Sequence, residues 1–215
     1  LGRYEEVRER LHTVVKTVLM IAVPCSFGLT VLGKPILRLL FSSSYAGGEL
    51  FWVGSFAVVF YCVNYVATGI LQGLNKPQIP MRHAFIGVAI TCVLNAFFVW
   101  VLDLGVYALP LNTLIFSGLL MVMNLRAATR ECKTRLRLLS MIKTPFICGA
   151  IMAVSCVLLY IMLFAVSGSN AVSVLVSVIL GAAIYFFLMV NLGGITEQDM
   201  ETIPMGRFLQ YLRLS

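Results

Sequence analysis

Six apolar runs, each about as long as a membrane-spanning helix, dominate this chain. A helix needs about 20 apolar residues to cross the hydrocarbon core of a bilayer, and no acidic residue falls near the centre of any run. Apolar residues make up 60% of the chain and charged residues 12%, about half the charge of a soluble domain. The sequence therefore predicts an all-α polytopic membrane protein with six transmembrane helices. The runs cover residues 14–33, 50–74, 83–102, 104–125, 144–166 and 171–192.

The polar segments around these runs complete the predicted domain organisation. Residues 1–13 place apolar side chains at helical spacing, with charges on other faces, which predicts an amphipathic leader helix. Pro35 opens an apolar segment too short to cross a bilayer, so an interfacial helix is predicted over 35–44. A basic segment at 126–143 follows the fourth run, and a polar tail covers 193–215.

The basic residues are divided unevenly between the two predicted sides of the membrane. With six crossings, 14 of the 16 Lys and Arg residues fall on one side, and only Lys34 and Arg38 fall on the other. Cytoplasmic loops retain positive charge during insertion, so both ends of the chain are predicted to lie in the cytoplasm.

Charge and motif content argue against several functional classes. The net charge of +7 comes from residues between apolar runs, which is not typical of a nucleic-acid surface. Five of the 6 cysteines lie within the apolar part of the chain, without metal-ligand spacing, so neither a metal nor another cofactor is predicted. Paired carboxylates and hydrolase motifs are missing from the sequence, and we do not expect an enzyme.

Uncharged polar residues recur at helical spacing in three neighbouring runs. Such faces do not favour lipid; they either join helices through hydrogen bonds or line a hydrophilic cavity, and both interpretations stay open for this set. In the last run, Ser173, Ser177, Gly181 and Tyr185 recur at four-residue steps, which favours a packing seam. The substrate-cavity candidates are Asn64, Thr68, Gln72, Thr91, Asn95 and Asn112.

Arg82 is the candidate for binding a phosphate headgroup. It enters the third run from the basic side, shortly after Pro77 and Pro80. An arginine here serves as an interfacial anchor, or its guanidinium meets an anionic phosphate group at the mouth of a cavity. The neighbouring His83 is better suited to interfacial hydrogen bonding than to a proton switch.

Three stretches resemble a transporter family. They are YVATGILQGLNKPQIPMRHAFIGVAITCVLNAFFV (65–99), PCSFGLTVLGKPILRLLF (24–41) and GGITEQDMETIPMGRFL (193–209), and they occur in the order typical of polysaccharide-biosynthesis and stage V sporulation protein B type transporters. These belong to the multidrug, oligosaccharidyl-lipid and polysaccharide (MOP) flippase superfamily, which includes MurJ-like lipid II flippases. The resemblance implies two six-helix lobes, with the first four runs here in the second lobe and the last two as accessory helices.

The same resemblance implies a function and partners. It implies the C-terminal portion of a bacterial flippase that moves lipid-linked oligosaccharide or peptidoglycan precursor across the cytoplasmic membrane by alternating access. The chain begins at Leu1 rather than Met, and we expect an N-terminal lobe on the same polypeptide. In MurJ-like members the arginines thought to be essential lie mainly in the first lobe and early in the second lobe, at positions outside this chain, so the resemblance assigns none here. The alternatives are a drug or metabolite cation antiporter of the same superfamily and a non-transporting membrane scaffold.

Overall fold

The computed structural model describes residues 2–41, 46–134 and 138–194, without the side chains of residues 2–10, 46 and 139. This part of the chain is helical and contains no strand. Six of its helical segments are long and apolar enough to cross a membrane, which confirms the predicted all-α polytopic fold. The helices are α1 (Gly2–Leu40), α2 (Leu50–Gly54), α3 (Phe56–Gly73), α4 (Gln78–Trp100), α5 (Ala108–Glu131), α6 (Leu138–Ser167) and α7 (Asn170–Asn191), with 3-10 turns at Ala46–Glu49 and Gly105–Tyr107.

Helix α1 differs from the predicted arrangement. It runs without interruption through the predicted leader, the first run and the start of the predicted interfacial helix, and it contains both Pro24 and Pro35. A membrane helix tolerates proline where neighbouring groups satisfy the backbone. Near the end of α1, the Nδ2 of Asn170 donates to the Pro35 carbonyl oxygen at 2.9 Å, which links α7 to this helix. Residues 42–44 of the predicted interfacial helix lie outside the described residues.

Other element boundaries also shift. The second run is predicted as one span over 50–74, but the structure divides it at Ser55 into α2 and α3, where a Gly-Ser pair weakens the helix. The fourth run extends to Glu131, so α5 includes the first part of the predicted basic segment. Residues 195–215, almost all of the predicted tail, lie outside the described residues.

A helix C-terminal motif reverses the chain direction between α3 and α4. Asn75 has φ 61°, and its N–H donates to the Gln72 oxygen at 2.9 Å, while the Lys76 N–H donates to the Leu71 oxygen at 2.9 Å. These are the two hydrogen bonds of a Schellman motif, which favours asparagine when glycine is missing. Pro77 follows and starts α4, so the chain reverses within a few residues.

The chain divides into two compact units. Among the described residues, the first contains 2–18 and 50–134. Helix α5 is its central helix, because α5 packs against both α3 and α4, whereas α3 and α4 make few contacts with each other. Large apolar side chains such as Phe85 and Val93 on α4 are each 71% exposed. Apolar exposure of this extent fits a lipid-facing surface and not a water-facing one.

Among the described residues, the second unit contains 19–41, 46–49 and 138–194, and its core lies where α1, α6 and α7 meet. Ser173, Ser177, Gly181 and Tyr185 are all buried, which confirms the packing seam predicted for the last run. The Tyr185 hydroxyl donates to the Met20 carbonyl oxygen at 2.8 Å, so its polar end is satisfied within the apolar core.

Candidate functional site

A hydrogen-bonded network of four side chains joins α3, α4 and α5. Its central residue is Asn124 on α5, which is 2% exposed. The Nδ2 of Asn124 donates to Asn64 Oδ1 at 2.7 Å and approaches Thr68 Oγ1 at 3.4 Å. The fourth member is His83 on α4, whose Nδ1 lies 2.6 Å from Asn124 Oδ1. We call Asn64, Thr68, His83 and Asn124 the asparagine network.

The network orients the ring of His83. The amide nitrogen of Asn124 is turned toward Asn64, so its oxygen faces the Nδ1 of His83 and acts as a hydrogen-bond acceptor there. Nδ1 as donor is the tautomer that matches this arrangement, and Nε2 is the ring nitrogen left for another partner. This assignment follows from the pattern of donors and acceptors.

Thr91 lies in the contact between α4 and α5. It is buried, and its hydroxyl donates within its own helix to the Gly87 oxygen at 2.9 Å. A Cβ on Gly87 would lie 3.1 Å from the Phe116 ring and 3.2 Å from a Leu120 methyl group, so the two helices approach closely here. Thr91 therefore occupies a packed position, with its hydroxyl already satisfied.

Asn95 on α4 and Asn112 on α5 bury their side-chain oxygens without a hydrogen-bond partner among the described residues. The antiparallel register pairs His83 with Asn124 and brings Gly87 against Leu120. When this register is continued along α4 and α5 for about two more turns, Asn95 lies level with Asn112. A buried polar atom left unpaired costs about 1–3 kcal/mol, so this level of the bundle offers hydrogen-bonding capacity to water or to a polar ligand.

The remaining two candidates, Gln72 and Arg82, are exposed and lie outside the asparagine network. Both lie at the end of the first unit where α3 ends, α4 begins and α5 ends. We call this the basic end, because Lys76, Arg82, Arg126 and Arg130 are all found there. The opposite end carries Asp103, which follows α4 and has φ 49°.

The thiol of Cys132 lies just beyond α5 at the basic end. Burial raises the pKa of this thiol, and the adjacent Glu131 carboxylate raises it further. The neutral thiol is a poor nucleophile, so Cys132 reads as a packing residue near neutral pH.

The helical spacing of polar residues predicted Asn64 and Thr68 as site residues but not Asn124. A signal for it exists, because Ser117, Leu120, Asn124 and Ala128 follow one another at helical steps and are all buried. Asn124 is the second-last residue of the predicted run 104–125, next to the basic segment. This position is typical of the polar end of a membrane span and not of an interior residue. In the part of the chain that the structure describes, no group of three or more His, Cys, Asp or Glu residues is placed to hold a metal ion.

The chain matches one family model and several known proteins. The family model described as "Lipid II flippase MurJ" matches residues 2–181. The chain is 29% identical over 115 residues to the "Probable lipid II flippase MurJ" of Aquifex aeolicus (strain VF5), covering 50% of this chain and 23% of that protein. No solved structure matches the chain.

Two Bacillus subtilis (strain 168) proteins are also similar. The "Uncharacterized membrane protein YabM" is 26% identical over 205 residues, covering 93% of this chain and 38% of that protein. The "Lipid II flippase MurJ" is 28% identical over 99 residues, covering 44% of this chain and 18% of that protein. The chain thus spans well under half the length of each of the three relatives.

Proposed function

Because the chain belongs to the lipid II flippase MurJ family, we propose that it is the C-terminal portion of a bacterial flippase for lipid-linked oligosaccharide or a peptidoglycan precursor such as lipid II. The observation that carries this proposal is the family match over residues 2–181, which includes every helix of the first unit. The chain is a multi-pass membrane protein of a transporter family. In our proposal a preceding N-terminal lobe completes the pathway, and the two lobes alternate between inward-open and outward-open arrangements.

We place the basic end in the cytoplasm. Lys76, Arg82, Arg126 and Arg130 lie at this end, whereas the opposite end of α4 and α5 carries Asp103. Retention of positive charge in the cytoplasm supports this orientation. A lipid-linked headgroup made in the cytoplasm then meets the basic end first.

The polar candidates fall into two groups, according to whether the hydrogen-bonding atoms of each side chain already have a partner. Asn64 and Thr68 contact Asn124, and the Thr91 hydroxyl bonds to its own helix, so we assign these three to the rigid part of the cavity wall. Asn95 and Asn112 keep unpaired amide oxygens, and we assign them to hydrogen bonds with the sugar portion of the substrate or with water.

Gln72 and Arg82 are assigned to the cytoplasmic mouth. Both are exposed at the basic end. The Arg82 guanidinium presents several N–H donors in a planar fork that suits the oxygens of a phosphate group. Its role in this proposal is to meet the phosphate that links the lipid to the glycan.

The cavity assignment predicts water access at Asn95 and Asn112. In a background without native cysteines, Asn95→Cys and Asn112→Cys are expected to react with a membrane-impermeant maleimide about tenfold faster than Val93→Cys. A thiol must ionise to react, and the Val93 position faces lipid, which disfavours the thiolate. Equal protection of all three cysteines would assign the two asparagines to helix packing alone.

Transport is tested with the full-length polypeptide in lipid vesicles. Fluorescent lipid II and a lipid-linked repeat-unit oligosaccharide are supplied separately, and movement between leaflets is followed by quenching. We expect at least one of them to move faster than in vesicles without protein. Movement of neither would refute the proposal; ion-coupled export of a cationic drug would then favour an antiporter, and no transport of any kind a scaffold.

A further inference from the structure

A pocket of about 450 Å³ opens at the basic end, where α4 begins and α5 ends. We call it the basic pocket. None of the substrate-cavity candidates lines this pocket. His83 belongs both to the pocket and to the asparagine network. Its lining residues are Ile79, His83, Met123, Arg126, Ala127, Arg130 and Glu131.

The basic pocket carries an excess of positive charge. Its carboxylate, Glu131, is paired with Lys76, whose Nζ lies 2.5 Å from Glu131 Oε2. Arg126 and Arg130 lie one turn apart on the same face of α5, and both are exposed. Among the side chains that the structure describes, neither guanidinium has a carboxylate partner. Two arginines are therefore available to one ligand.

His83 adds a third polar group whose position is already determined. Its Nδ1 is held by Asn124, so the ring is oriented before any ligand arrives, and Nε2 is the nitrogen left to interact. An imidazole nitrogen can share a hydrogen bond with a phosphate group or with a hydroxyl group, and a glycerol phosphodiester carries both.

The rest of the lining is apolar. Ile79, Met123 and Ala127 contribute no charged or hydrogen-bonding side chain. The pocket also lies at one end of a candidate membrane span, Gly105–Glu131, which is the level of the lipid headgroups in a bilayer. A ligand that fits both properties has an anionic head and an apolar body.

We propose that the basic pocket binds the phosphodiester headgroup of an anionic phospholipid from the adjacent leaflet. Basic pockets between transmembrane helices are suited to such headgroups. The ligand is a resident bilayer lipid and not the transported substrate, so this proposal does not depend on the flippase function. It also differs from a plain topology signal. Either lysine or arginine can fix the orientation of a helix in the membrane. Two parallel hydrogen bonds to a phosphodiester require the planar guanidinium group of arginine.

The test measures lipid binding to the full-length protein in neutral detergent, by native mass spectrometry and by the shift in thermal midpoint on lipid addition. The probes are phosphatidylglycerol, phosphatidylcholine and inorganic phosphate. We expect phosphatidylglycerol to bind at least tenfold more tightly than either of the others. Equal binding of phosphatidylcholine would overturn the anionic site, and equal binding of inorganic phosphate would overturn its assignment to a lipid.

Variants separate guanidinium recognition from net charge. Arg126→Gln and Arg130→Gln are each expected to weaken phosphatidylglycerol binding about tenfold, the scale of one charge-assisted hydrogen bond. The double variant Arg126→Lys, Arg130→Lys keeps the charge and is expected to weaken binding by a similar factor. The control Lys133→Asn removes a charge next to the pocket, at an exposed position with φ 48°, and should change binding less than twofold. If binding follows net charge alone across this series, the proposal is wrong.

Discussion

Replacing Asn124 by leucine is expected to lower the free energy of unfolding by about 2 kcal/mol, because it removes the centre of the asparagine network. Asn64 Oδ1 loses its donor and His83 Nδ1 loses its acceptor. A buried polar group left unpaired costs about 1–3 kcal/mol, whereas a single interhelical hydrogen bond in a membrane protein is worth about 0.6 kcal/mol on average. The measurement is unfolding in mixed micelles with increasing sodium dodecyl sulfate, followed by circular dichroism.

A control on the same helix tests whether the effect is specific. Thr113 is exposed, and its hydroxyl donates only to the Leu109 oxygen of its own helix at 2.9 Å. Thr113→Val is therefore expected to change stability by less than about 0.5 kcal/mol. A double-mutant cycle of Asn64→Ala and Asn124→Ala should give a coupling energy above about 0.5 kcal/mol. Strict additivity would show that the two amides stabilise the bundle independently.

Replacing Gly181 by alanine is expected to destabilise the protein by about 2 kcal/mol through steric conflict between α6 and α7. A Cβ on Gly181 would overlap the sulfur of Cys156, which is buried and lies 3.5 Å from the Ser177 carbonyl oxygen. Overpacking of a filled core typically costs about 1–3 kcal/mol. The same detergent titration measures the change.

Removing the sulfur should relieve the conflict. The double variant Gly181→Ala, Cys156→Ala is expected to regain more than half of the lost stability, because the new methyl group occupies the vacated space. Gly69→Ala is the matched control, since no atom lies within 4 Å of a Cβ built on Gly69. That variant should be neutral or slightly more stable. Equal losses for Gly181→Ala and Gly69→Ala would contradict the close approach of α6 and α7.

The polar candidates show where prediction from sequence worked and where it stopped. Their helical spacing predicted that Asn64 and Thr91 turn away from lipid, and both side chains are buried in the folded chain. Spacing is a property of a single helix, so it could not identify the residues of other helices that contact these side chains. The hydrogen bond from Asn124 to Asn64 joins residues far apart in the chain, and helix packing alone brings them together. For the same reason, periodicity gave Asn95 and Thr91 the same predicted role. In the structure the amide oxygen of Asn95 is unpaired, whereas the hydroxyl of Thr91 has a hydrogen-bond partner.

Element boundaries show a similar division. Hydropathy located all six spans because a bilayer demands a fixed length of apolar helix, whatever surrounds it. It divided α1 at Pro35 because proline interrupts an isolated helix. In the folded chain α1 continues through Pro35 to Leu40, because packing against other helices can outweigh a local helix preference.

Membrane class, number of spans and charge asymmetry can all be read along this chain, because they depend on residues summed over short, contiguous segments. The asparagine network, the unpaired amides of Asn95 and Asn112, and the basic pocket required the folded molecule. Each of these depends on the register between helices, and register is set by side-chain packing between residues that are distant in sequence.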